Sequence, residues 1–135
     1  MAEVRVAPRA RPLSPHLLHW RWHVTLAASI ATRITGGATY VGMLILAGWA
    51  LALASGPDAY GDYMAILGSI PGKVVMFGMT LSLFYHLAGG LRHLFWDNGV
   101  GFAPKMANAT AWGAFAFAFV ASIATWIAAA ALGAL

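Results

Sequence analysis

Cysteine is absent from this 135-residue chain, and acidic residues are scarce: Glu3, Asp58, Asp62 and Asp97 are all there are. Without thiolates the chain cannot ligate an iron–sulfur cluster of the usual kind, and it carries no disulfide. Charge of either sign is thin, at 9% of residues, whereas soluble domains carry about 25%. Three windows hold no Asp, Glu, Lys or Arg at all: Ile34 to Pro57, Val74 to Leu91 and Met106 to Leu135. No Gly-rich dinucleotide loop follows a strand pattern, so the chain has no visible machinery for flavin or nicotinamide chemistry of its own.

What fills the space is apolar. Hydrophobic residues make up 61% of the chain, against about 45–50% in soluble domains, and the mean hydropathy is +0.74. This is the composition of an integral membrane protein. The net charge of +4 reads as topological charge flanking membrane spans, and nucleic acid is not an expected partner. The first residues, Met1 to Pro12, have no apolar core directly behind their basic start, which argues against a cleaved secretory signal. They read as an extended, interfacial tail (residues 1–22 as a whole).

A bilayer span needs roughly 20 apolar residues. The expected fold class is therefore all-α integral membrane, one anchor domain over 1–135 with spans at about 23–54, 70–95 and 108–133. The run Ala-Phe-Ala-Phe-Ala-Phe (residues 114–119) alternates like a strand. A lone strand in lipid would leave its backbone unpaired, so helix is expected there too. Arg5, Arg9, Arg11 and Arg21 precede the first span, and Arg92 and Lys105 flank the second connection. The first connection carries Asp58 and Asp62, with Lys73 at its edge. The positive-inside rule puts the N-terminus and the second connection inside and the C-terminus outside. Trp20, Trp22, Trp96 and Trp112 then fall near the inner interface, where indoles collect.

Within Val74–Leu91 the one ionisable side chain able to charge near neutral pH is His86. Ionisable groups at membrane depth are costly and are kept for function by default. Imidazole is a usual haem iron ligand, so His86 is either such a ligand or a hydrogen-bonded core histidine. His93 shares its face, but seven residues separate the two by about 10.5 Å along a helix. Two axial ligands of one iron stand on opposite sides of one atom, so one helix cannot supply both. His93, beside Arg92, lies where haem propionates would emerge. Gly89 and Gly90 border His86 and could admit a flat macrocycle or a helix. Ala38 and Gly42, like Gly78 and Ser82, sit four apart and suit close helix packing. His16, His19 and His23 have metal-like spacing, yet the Trp20-Arg21-Trp22 among them reads as an interfacial segment. Ser29 and Arg33 lie one turn apart, with Arg33 about 12 Å into the bilayer. An arginine there costs at least ~2.5–3.5 kcal/mol unless paired, facing a polar cavity or snorkelling. Ser29, Thr32 and Thr35 suggest such a polar pocket.

Two stretches carry a resemblance. His86-x3-Gly90-Leu91-Arg92-His93-Leu94-x-Trp96-Asp97-x-Gly99 resembles the second signature of the cytochrome b anchors of succinate dehydrogenase (succinate:quinone oxidoreductase). Arg11-Pro12-Leu13-Ser14-Pro15-His16, followed by Ser29-x3-Arg33-x-Thr35, resembles the first. The resemblance covers nearly the whole chain. It implies one of two small membrane anchors that dock a flavoprotein and an iron–sulfur subunit, with no succinate-oxidising site on this chain. It implies a haem b shared with the companion anchor, with His86 as one axial ligand and Arg33, Arg92 and His93 around the propionates. Ser29 and Arg33 would bind ubiquinone. The implied setting is a bacterial cytoplasmic membrane, or alternatively the mitochondrial inner membrane. An anchor of a fumarate reductase, or a haem-free structural anchor, are the other readings. One departure stands out: the residue before the motif arginine is usually histidine in that family, and here it is Thr32, which can hydrogen-bond but cannot carry a proton's charge.

The arginine asymmetry yields a test of topology. Reporter fusions near Asp62 should report outside and those near Lys105 inside; an Asp62 fusion on the cytoplasmic side would invert the arrangement.

Overall fold

A computed structural model describes residues 21–133. The extended tail expected over the first residues lies outside that range, as do His16, His19 and Trp20. Four helices follow in order: α1 (Val24–Ser55), α2 (Pro57–Gly68), α3 (Ile70–Asp97) and α4 (Pro104–Ala131). Three of them, α1, α3 and α4, are long and apolar enough to cross a membrane. They run antiparallel in sequence, with α3 in the middle: α4 packs mainly on α3, α1 also on α3, and α1 and α4 touch less. The described core is small-residue in character. Ala28, Ala52, Ala111, Ala114, Ala118 and Ser122 are buried, whereas large apolar side chains such as Leu46, Leu87, Phe95 and Ile127 are exposed to what would be lipid. Lipid tails are as apolar as leucine, so contacts between spans rest on close approach and hydrogen bonds instead.

The ends are set by local chemistry. His23 caps α1, its Nδ1 accepting the Leu26 N–H at 3.3 Å. Gly56, at φ 111°, breaks the chain and Pro57 opens α2. The sequence pattern predicts a connection over 55–69, where two aspartates sit. In the structure most of it is helical, with Asp58 in the first turn, where a carboxylate favours the helix N-terminus. At 12 residues, α2 is about 18 Å long, too short to span. It folds back on α1: the Tyr63 hydroxyl donates to the Ile45 carbonyl at 2.7 Å, against Gly48, where a side chain would collide with the ring. Ser69 caps α3 by accepting the Gly72 N–H at 3.2 Å. The α3–α4 turn uses Gly99 (φ 75°) and Gly101 (φ 93°), backbone that favours glycine. Trp96 closes it, donating from Nε1 to the Gly101 carbonyl and stacking on Phe102. The Trp96–Gly99 part of the second motif is thus structural punctuation.

On α4 the alternating run is helical. Ala111, Ala114, Ala118 and Ser122, spaced three and four apart, form its buried stripe, while Phe117 and Phe119 face outward. Phe115 packs on Tyr85, ring centroids 4.8 Å apart. Toward the far end of the pair Trp126 Nε1 donates to the Thr80 hydroxyl at 3.2 Å.

Glycine contacts separate packing from open surface. A methyl group on Gly72 would run into the Ile66 and Leu67 carbonyl oxygens, whereas one on Gly78 would meet nothing. Gly78, expected at a close contact, faces outward, whereas Gly42 of the first pair does meet α3, at Met79. Glycine-to-alanine within a helix ordinarily gains roughly 0.5–1 kcal/mol. Gly78→Ala should therefore leave thermal stability of the purified protein equal or higher. Gly72→Ala should lower it by about 1–3 kcal/mol, the cost of overpacking. Equal midpoints for the two variants would contradict the α2–α3 junction described here.

Candidate functional site

The helix α1–α3 seam is built from hydroxyls and glycines. Thr32 lies against Gly89, where an added methyl would stand 3.0 Å from the Thr32 Oγ1. One turn further along α1, a methyl on Gly36 would stand 3.2 Å from His86 Cε1. Further still, one on Gly42 would stand 3.3 Å from the Met79 sulfur. Each missing Cβ lets one helix seat a side chain of the other. His86 is half-buried in this seam, and its Nδ1 is 3.4 Å from the Thr35 Oγ1. Eleven residues separate it from the end of α3 at Asp97, which puts it roughly 16 Å deep along the helix. Its Nε2 has no hydrogen-bond partner among the described residues.

Tyr85, beside His86, points elsewhere. It is buried, and its hydroxyl donates to the Ala28 carbonyl at 2.9 Å, the same oxygen that accepts from Thr32 Oγ1 at 2.9 Å. Tyr85 and Arg92 are seven apart and share a face offset by about 100–120° from His86. Arg92 is buried on that face. Its Nε donates to the Thr110 hydroxyl at 3.0 Å, its Nη2 donates to the Ala107 carbonyl at 3.1 Å, and the guanidinium carbon lies 4.2 Å from the centre of Trp96. The sequence pattern makes Arg92 a topological charge and a neighbour of propionates. It missed the tie to α4, which Thr110 and the Trp96 four residues on could have signalled. Nη1 makes no hydrogen bond among the described residues. His93 lies within about 20° of His86 around the helix, is exposed, and packs edge-on against Trp96. Gly90 is open and exposed; the buried glycine of the pair is Gly89.

On α1 the hydroxyls divide. Thr32, Thr35 and Thr39 each donate back to a carbonyl of their own helix, at 2.9, 2.8 and 2.6 Å. The half-buried Ser29 hydroxyl does not, and neither it nor the exposed Arg33 guanidinium has a hydrogen-bond or ion-pair partner among the described residues. Ser29 and Arg33 lie about 40° apart and about 60–100° around α1 from Thr32. They are not on the surface that packs against Gly89. Thr32, standing where a histidine was expected, is taken up by helix packing.

Three helices long and apolar enough to cross a membrane, a half-buried histidine with one ring nitrogen unpartnered among the described residues, and a serine and an arginine one turn apart without partners there make up a helical membrane protein with polar groups set within its apolar helices. Comparison makes the class specific. The family described as succinate dehydrogenase/fumarate reductase transmembrane subunit matches residues 7–125, and the chain belongs to it. It is 36% identical over 117 residues to the succinate dehydrogenase cytochrome b556 subunit of Paracoccus denitrificans, covering 87% of this chain and 90% of that protein. It is 33% identical over 117 residues to the subunit of the same name from Rickettsia felis, covering 87% and 91%. To the human mitochondrial cytochrome b560 subunit it is 36% identical over 93 residues, 67% of this chain and 55% of that one.

Proposed function

We propose that this chain is the cytochrome b anchor of a succinate dehydrogenase, that His86 is one axial ligand of a b-type haem shared with a companion anchor, and that Ser29 and Arg33 form part of a ubiquinone-reduction site. The observation that carries the haem assignment is the unpartnered Nε2 of a histidine held mid-span at a glycine-lined seam. The residues fit the group: one imidazole is free to ligate, the open Gly90 lies on the outward side, and His93 lies on the same face nearer the interface. No second histidine among the described residues is within ligating reach, and in this reading the other ligand comes from the companion subunit. When bound, the haem supplies one-electron redox capacity at the depth of His86.

The chain's own residues then have distinct tasks. His86 fixes position and ligand strength. His93, Arg33 and the free Nη1 of Arg92 are cationic or donor groups suited to propionate carboxylates. The Ser29 hydroxyl donates to a quinone carbonyl, and Arg33 stabilises negative charge that develops on the ring as it takes electrons. Both groups suit a ligand because neither is used by the fold. The basic end, with Arg21, Arg33, Arg92 and Lys105, faces the cytoplasm or matrix, where the iron–sulfur and flavoprotein subunits dock. Bacterial relatives favour the bacterial cytoplasmic membrane as the setting.

One set of complexes tests this reading. His86→Ala should abolish or strongly perturb the reduced-minus-oxidised b-type spectrum, and His93→Ala should perturb it less. Ser29→Ala and Arg33→Ala should lower succinate-to-quinone activity ten-fold or more, in keeping with the ~1.5–3 kcal/mol of a charge-assisted hydrogen bond. Reduction of a soluble dye that accepts electrons upstream should persist. Thr32→Ala should do less to quinone reduction than either. An unchanged spectrum in His86→Ala rejects the ligand; quinone and dye rates falling together in Arg33→Ala would make the arginine structural.

A further inference from the structure

The Thr35 hydroxyl faces His86 with its own proton already engaged. Thr35 Oγ1 lies 2.8 Å from the Ala31 carbonyl oxygen and 3.2 Å from that of Thr32. Carbonyl oxygens only accept, so the single hydroxyl hydrogen points to them. What remains toward His86 is a lone pair, 3.4 Å from Nδ1. A lone pair there is complementary to Nδ1–H and repels a bare Nδ1, and at membrane depth no water relieves the mismatch. The contact therefore favours the Nδ1–H tautomer, which leaves the Nε2 lone pair free. Gly36 lies against the same edge of the ring, since a Cβ at that position would stand 3.2 Å from Cε1 and 3.7 Å from Nδ1.

We propose that Thr35 is a positioning residue for the axial histidine: through the chain His86 Nδ1–H to Thr35 Oγ1–H to the Ala31 carbonyl, it sets the tautomer, orientation and donor strength of His86. This rests on the reading of His86 as haem ligand. Metal-bound histidines commonly donate their second ring N–H to an acceptor, which orients the ring and raises its basicity. A more basic imidazole favours the ferric state, so the hydrogen bond lowers the haem midpoint potential. Thr32, the neighbouring hydroxyl, cannot substitute: it donates to the Ala28 carbonyl and sits against Gly89, one turn from the ring.

The test uses the assembled complex carrying Thr35→Val, Thr35→Ala or Thr35→Ser, read by redox titration of the haem band and by ferric low-spin electron paramagnetic resonance. Val keeps the shape and removes the hydroxyl, Ala removes bulk as well, and Ser keeps the hydroxyl. The midpoint should shift positive and the g-values should change in Val and Ala, while Ser stays with the unsubstituted protein. Wild-type potentials and g-values in Val and Ala would overturn the proposal, as would a shift in Ser equal to that in Val. If Val crowds the seam and fails to assemble, Ala against Ser decides alone. His86→Ala separates the two layers. Unperturbed haem in His86→Ala rejects the ligand itself, whereas haem lost there with unaltered Thr35 variants rejects only the role of Thr35.

Discussion

Helices surrounded by lipid gain little by hiding apolar surface from each other, so the approach of α1 to α3 must be held by fit and by hydrogen bonds. The polar contacts around His86 depend on that approach. Thr32 enters the space left by Gly89, His86 enters the space left by Gly36, and the Tyr85 hydroxyl reaches across to the Ala28 carbonyl. The three contacts lie within about two turns of one another on α3. They fix the rotation of α3 relative to α1, and with it the direction in which each ring nitrogen of His86 looks. The packing of the pair and the chemistry of the histidine are therefore one constraint.

The same rotation sorts the charged and hydroxyl groups. Tyr85 and Arg92 turn toward α1 and α4, Arg92 engaging Thr110 and Ala107 through Nε and Nη2 and leaving Nη1 without a hydrogen bond among the described residues. His86 and His93 remain together on another face. On α1 three threonines are engaged with their own helix, and Ser29 and Arg33 are left without partners among the described residues. A buried or membrane-embedded polar group without a partner is costly. That Ser29 and Arg33 lie one turn apart, and are not engaged as Thr32, Thr35 and Thr39 are, is why they are the binding candidates.

Much of this was legible in the sequence. Three spans follow from three uncharged windows, and α4 was readable as helix despite its alternating phenylalanines because lipid forbids a lone strand. The prominence of His86 follows from its isolation. What was hidden depended on tertiary context. The two aspartates at 58 and 62 read as a loop, yet Gly56, Pro57 and the Tyr63–Ile45 hydrogen bond make most of it a helix folded on α1. Of two adjacent glycines, nothing local says that Gly89 is buried and Gly90 open; only the position of Thr32 decides it. Gly78 has the spacing of a contact and faces outward. For Arg92 the charge was visible, but its ties to α4, 15 and 18 positions away, were not.

The central claim is that this chain gives a haem one imidazole and that a second chain gives the other. Haem stoichiometry and ferric resonance on the purified, assembled complex test it most directly. The account predicts one b-type haem per copy of this chain, low-spin in the ferric state with the signature of two nitrogenous imidazole ligands. A fully assembled, quinone-reducing complex without haem, or with a five-coordinate high-spin haem, would contradict it.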